Sequence, residues 1–216
     1  MNDTERFQRI SELIKMAEKD GIQYLDDALK VAEDIKDPDD KPSYISIIAA
    51  HLAKIGPLDD IDKAIQLGRK TRPIDKLEFT LPAVFLRLLS ENENQRAVDV
   101  LKEMEVAALE LQSLDYDYSI KATLWEEIGE MYKRVGIIEQ ARKMWLNAIK
   151  MAQMGQNNID HRQDSVDSFK VLRALSLALS NAGYYEDAIA TANTITHSGY
   201  KEDTLKKIKR YQNRTE

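Results

Sequence analysis

Apolar residues return at every third or fourth position through most of this chain, and the stripes are cut by glycine, asparagine or proline. That period marks an amphipathic helix; a strand would alternate with a period of two. Phe7, Ile10, Leu13, Ile14 and Ala17 form the first stripe, with Thr4 as the expected N-cap and Gly21 as the stop. Tyr24, Leu25, Ala28, Leu29, Ala32 and Ile35 form a return helix that ends at the turn sequence Asp37–Pro42. Ile45, Ile48, Ala49 and Leu52 then run from about Ser43 to Gly56-Pro57, and Ile61, Ile65 and Gly68 follow before Pro73.

The third pair is less regular. Leu77, Leu81, Val84, Phe85 and Leu88 make its stripe, and Pro82 inside it predicts a kink or a helix start after Thr80. Asn92 takes the turn position, Ala97, Leu101 and Met104 return, and the chain links through Leu114–Tyr118. In the fourth pair Trp125, Ile128, Gly129 and Tyr132 precede Gly136, and Ile138, Ala141, Trp145, Ala148 and Ile149 follow, to about Gln153. The polar stretch Gly155–Asp164 reads as a long loop, or as the flexible tip between two long helices. Phe169, Leu172, Leu175, Ser176 and Leu179, then Gly183, then Ala188, Ala192 and Ile195 make the fifth pair. Lys201–Arg210 is a single amphipathic helix with Leu205 and Ile208 on one side.

The expected pairs therefore span about residues 5–36, 43–71, 75–111, 119–153 and 165–197, with a last helix at about 201–212. Their turn positions 21, 56, 92, 136 and 183 lie 35, 36, 44 and 47 residues apart. Such helices are too short to stand alone, so each pair needs a neighbour to cover its apolar face.

The stretch Trp125–Ala148 carries the most specific pattern. Trp125-x2-Ile128-Gly129-x2-Tyr132 followed by Ala141-x3-Trp145 resembles the tetratricopeptide repeat (TPR) signature, W-x2-L-G-x2-Y then A-x3-F. Ile stands for Leu, Trp for Phe, and Gln153 stands about where the closing proline belongs. Gly129 and Ala141 are small on facing helices, and the aromatic side chains fill the space they leave. The resemblance implies an all-α fold: a right-handed α-α superhelix, a TPR-like solenoid of five helix pairs with a C-terminal capping helix, as one domain over residues 1–216.

Composition narrows the function. Hydrophobic residues are 43% and charged residues 31% of the 216, so a sizeable core is expected. There is no cysteine, which removes disulfides, thiolate metal sites and thiol nucleophiles. The N-terminal stretch is acidic and lacks the apolar run of a signal peptide, and no segment is long and apolar enough to span a membrane. A cytoplasmic location is expected. The net charge of −6 is uneven: residues 1–60 hold 8 basic and 14 acidic side chains, the last sixteen hold 6 and 3. The overall sign argues against a nucleic-acid binder, which needs a basic surface.

Motifs for chemistry are missing. His51, His161 and His197 have no second histidine at helical spacing, and the acidic run Asp37–Asp40 lacks the spacing of a calcium loop. No phosphate-binding or nucleophile motif occurs, so neither an enzyme nor a cofactor is expected. In TPR proteins the first helix of each pair lines a concave groove. By register that lining is Gln8, Ser11 and Lys15, then Ser43, Ser46 and Ala50, then Phe79, Leu86 and Leu89. Thr123, Glu126, Glu130 and Lys133 follow, then Lys170, Arg173, Leu177 and Asn181. Of these, Phe79, Leu86 and Leu89 are expected to anchor apolar groups, and Lys170 and Arg173 to meet acidic ones. The carboxylate clamp of some TPR chaperone adaptors falls here on Ser11, Lys15, Ile47, Phe79 and Ala83, and only one is cationic. The expected function is a non-catalytic scaffold that binds a peptide, a protein segment or its own copy. A helical-repeat RNA-binding protein is the alternative.

Overall fold

The computed structural model describes residues 1–114, 116–157 and 162–215, and only the backbone at 162–167, 214 and 215. Among the described residues every regular element is helical. The chain divides into two compact units, Met1–Glu110 and Leu111–Glu216.

In the first unit α1 (Asp3–Asp20) and α2 (Gln23–Glu33) pack as a hairpin, as do α3 (Asp40–Ile55) and α4 (Ile61–Arg69). The cap of α1 is Asn2, not the expected Thr4. The Asn2 side chain accepts from the Glu5 amide at 2.9 Å while the Glu5 carboxylate takes the Asn2 amide at 2.8 Å. This reciprocal pair satisfies two donors that Thr4 would leave open. Helix α3 starts three residues before the expected Ser43, because Pro42 sits in its first turn, where no amide is needed.

The third segment is one continuous helical run: α5 (Pro73–Asp75), a π-helical turn (Lys76–Thr80) and α6 (Leu81–Ser90). It neither breaks nor starts late at Pro82. The proline has no amide to offer Glu78 and its ring crowds that carbonyl, so the backbone widens by one residue ahead of it. The Leu81 amide accordingly donates five residues back, to the Lys76 carbonyl. Helix α7 (Asn94–Gln112) follows and faces α4 through Arg69–Glu103 at 2.8 Å and Arg96–Asp62 at 2.7 Å.

The second unit holds α8 (Tyr118–Arg134), α9 (Ile138–Asn157), α10 (Arg162–Asn181), α11 (Tyr185–Thr194) and α12 (Ser198–Thr215). Helices α8 and α9 form a hairpin, α9 packs on α10, α10 pairs with α11, and α12 lies against both α10 and α11. Trp125, Tyr132 and Trp145 are buried, and a Cβ at Gly129 would lie 2.5 Å from the Trp145 indole. Only glycine lets the ring settle there. The indole N–H has no hydrogen-bond partner.

Four of the five expected turn residues have positive φ: Gly21 at 123°, Asn92 at 62°, Gly136 at 78° and Gly183 at 87°. Gly56 instead has φ −74° and ψ 165°, because Pro57 follows and forces an extended residue before it. The expected loop Gly155–Asp164 is partly helix. Residues 155–157 complete α9 and residues 162–164 open α10; 158–161, with His161, lie outside the described residues. Gly155 is buried with Ser168 and Tyr118 packed against it, so local polarity gave way to a close helix crossing. Lys121 is only 6% exposed, and its ammonium donates to the carbonyls of Leu114 at 2.7 Å and Gln112 at 3.3 Å. It thereby closes the C-terminal end of α7, where a cation also meets the helix dipole favourably.

Candidate functional site

The groove positions of the first unit separate into an outward set and an inward one. Leu86 on α6 is 47% exposed, and Phe79 and Leu89 are half-buried. Gln8, Ser11 and Lys15 on α1 are exposed, with the Ser11 hydroxyl turned onto the Phe7 carbonyl at 3.0 Å. Ser46 does not line a surface: it is fully buried. Its hydroxyl contacts the Asp75 carbonyl at 2.8 Å and the Thr80 hydroxyl at 2.7 Å, and Thr80 donates to the Ser46 carbonyl at 3.1 Å. Ser43 is the outer edge of the same network. Its hydroxyl donates to Asp75 Oδ1 at 2.6 Å and accepts from Arg72 Nη2 at 3.0 Å. Arg72 in turn donates to both Asp75 oxygens, at 2.7 and 3.1 Å, and to Asp39 at 2.9 Å. The two serines therefore join α3 to α5, and Ser46 also to the π turn through Thr80, a link with no short-range signal in the sequence.

In the second unit Glu126, Glu130 and Lys133 follow one another along α8, all half-buried. Lys133 pairs with Glu130 at 3.3 Å, and its ammonium lies 5.7 Å from the centre of the Trp145 ring. Burial pushes the Glu126 carboxyl up to about 7, helped by the charges of Glu130 and then Glu127. It thus changes charge near neutral pH, whereas an ordinary glutamate is fully ionised there.

On α10, Lys170 and Asn181 are exposed and Arg173 is half-buried. Arg173 is already engaged: it donates to Asp203 of α12 at 2.9 Å, and its guanidinium lies 5.7 Å from the centre of the Tyr200 ring. Phe169, His197 and Tyr200 cluster beside it with ring centres 5.0 to 5.4 Å apart. A hollow of about 370 Å³ opens at Arg173, His197, Gly199, Tyr200 and Asp203. A second, of about 420 Å³, lies where Arg142 of α9 meets Asp187 of α11 at 2.7 Å and Tyr184 donates to Glu139 at 2.8 Å. These partners are 30 to 45 residues apart in sequence, so no short-range spacing announced them.

Nothing among the described residues groups three metal-ligating side chains. His51 is half-buried on α3, and burial holds its imidazole below the ordinary histidine range; Glu18 opposes that shift. The Asp37 carboxylate accepts the amides of Asp39 and Asp40 at 2.8 and 3.2 Å, which accounts for the acidic run as a turn.

The charge on Glu126 makes stability depend on pH. The folded state holds this proton more tightly than the unfolded chain, so between the ordinary value of 4.5 and about 7 its contribution to stability falls as pH rises. Above that range the full penalty of burying a carboxylate remains. Glu126→Gln is therefore expected to stabilise the protein by about 1–2 kcal/mol near pH 8, discounted for partial exposure, and to do little near pH 4. Urea titrations of both proteins at the two pH values check this; a gain equal at both would mean that titration is not its source.

No known family model matches the chain, and no curated protein matches it significantly. One solved structure to which it is similar is a de novo designed helical repeat protein, 15% identical, with 98% of this chain and 93% of that chain covered and a TM-score of 0.33.

Proposed function

We propose that this chain is a non-catalytic, TPR-like scaffold that captures a peptide or protein segment in the cytoplasm. In this reading five helix pairs stack with a right-handed turn and α12 caps the last. The helix hairpins, the positive φ values at the pair turns and the close contact of Gly129 with Trp145 support it. The observation that carries the binding role is Leu86, a large apolar side chain 47% exposed on the first helix of its pair. Phe79 and Leu89 are partly exposed on the same helical run. Apolar anchors there supply most of the affinity. On the second unit, taken by itself, Glu126, Glu130 and Lys133 of α8, with Lys170 and Asn181 of α10, are the polar contact candidates. Arg173, tied to Asp203, orients α12 more than it meets a ligand.

Leu86→Asp is expected to cut capture of the natural partner at least about tenfold, because a carboxylate in an apolar contact must be desolvated. Its melting curve should match the wild type, since the side chain is already half in water. Affinity capture with quantitative mass spectrometry, alongside thermal melts, reads both. Unchanged capture would remove α6 from the site. Retention of RNA at low salt, with protein capture unaffected, would favour the RNA-binding alternative.

A further inference from the structure

Three cations on α12 stand without partners among the described residues. Lys206, Lys209 and Arg210 are exposed, and none has a hydrogen bond or ion pair among the described residues. They fall at i, i+3 and i+4, one helical face, opposite the buried Thr204 and Ile208. The other basic residues of this helix are engaged where they have the chance. Lys207 pairs with Asp203 at 3.0 Å, and Lys201 donates to the Asn193 carbonyl at 3.0 Å.

Helix α2 carries the reverse pattern. Its buried residues are Leu25, Ala28 and Ala32, and the opposite face holds Asp26, Asp27, Lys30, Glu33 and the adjoining Asp34, all exposed. Asp26 is bonded to Lys63 at 2.8 Å and Asp27 to Lys30 at 2.9 Å; the Lys41 ammonium donates to the Glu33 carbonyl, but the carboxylates of Glu33 and Asp34 form no ion pair among the described residues. Both sit at the C-terminal end of α2, where the helix dipole disfavours negative charge.

We propose that the outward face of α12 docks on the outward face of α2 of a second copy of this chain. Four acids and one base on α2 meet three bases and Glu202 on α12, with Asp203 at the edge already tied to Arg173 and Lys207, so the two faces are opposite in sign and similar in length. The contact joins two different surfaces, so each pair of copies keeps one of each free for a further neighbour. It is built from exposed ion pairs, each weak, so it forms at high protein concentration and is screened by salt. This surface is separate from the proposed partner site on α6 and stands without it.

Sedimentation velocity over a range of protein concentrations tests the proposal. The average mass should climb with concentration at about 10 mM salt and stay at the monomer value near 1 M. Reversing α12 (Lys206→Glu, Lys209→Glu, Arg210→Glu) should weaken association at least tenfold, and so should reversing α2 (Asp27→Lys, Glu33→Lys, Asp34→Lys). An equimolar mixture of the two reversed proteins should associate again, because the unchanged α2 of the first meets the unchanged α12 of the second, and the acidic α12 of the first meets the basic α2 of the second. All six positions are exposed, and far-UV circular dichroism verifies the helices; glutamine at the same positions serves if a reversed protein unfolds. A mass independent of concentration at low salt overturns the proposal, as does a mixture that stays monomeric. Retention of anionic vesicles or nucleic acid that is lost on reversing α12, with no change in mass, would assign the basic face to a polyanion instead.

Discussion

Alanine in place of Trp145 is expected to lower the unfolding free energy by about 3–5 kcal/mol, the range for large aromatic truncations in a packed core. The ring is fully buried between α8 and α9, and the backbone of Gly129 lies where any side chain would strike it. The alanine therefore opens a cavity that the two helices cannot close without sliding. Phenylalanine should be far milder, at about 1 kcal/mol, because the indole N–H makes no hydrogen bond that would be lost. Gly129→Ala should cost about 1–3 kcal/mol by crowding the same ring. Combined with Trp145→Phe it should cost less than the sum, since the smaller ring yields the space. Urea denaturation of the four variants gives the coupling; additive losses would show that the two residues do not share one contact.

Asp75→Ala should also be costly, at about 2–3 kcal/mol. The side chain is 3% exposed and accepts from Ser43 and from two nitrogens of Arg72. Its removal leaves the Ser43 hydroxyl and much of the guanidinium without their acceptor. The loss stays below that for a fully buried charge because the Arg72 side chain is 34% exposed and keeps Asp39. The double change Asp75→Ala with Arg72→Met should recover part of it, since the stranded charge goes too. Equal losses for the single and double variants in thermal melts would mean that the pair is not the source.

The helix hairpins were legible because their signals are local. A 3.6-residue apolar stripe, a residue able to take positive φ and a small residue facing an aromatic one each act within a few positions. Trp125, Tyr132 and Trp145 are core for that reason, and Asn92 turns the chain as a glycine would. The site was legible only in part. Leu86 faces outward, as its register predicts, because α6 is regular beyond Pro82. Ser46, placed on the same kind of register, is inside, because Thr80 and the Asp75 carbonyl offer it partners some thirty residues away. Arg173 reads as a groove cation until α12 brings Asp203 beside it. The raised affinity of Glu126 for its proton comes from burial, which charge and spacing do not encode.

The π turn at Lys76–Thr80 has a historical consequence. Adding one residue to an α-helix rotates everything after it by about 100°, which here would carry Phe85 out of the core to the outward place of Leu86, and Leu86 to the half-buried place of Arg87. A π turn accommodates the same insertion within a single turn, and α6 beyond it keeps its phase. Segment 76–80 is thus the place where this helix can gain or lose a residue without exchanging its inside for its outside. Descendants and ancestors of the chain can differ in length there while still presenting the same apolar side chain to a partner.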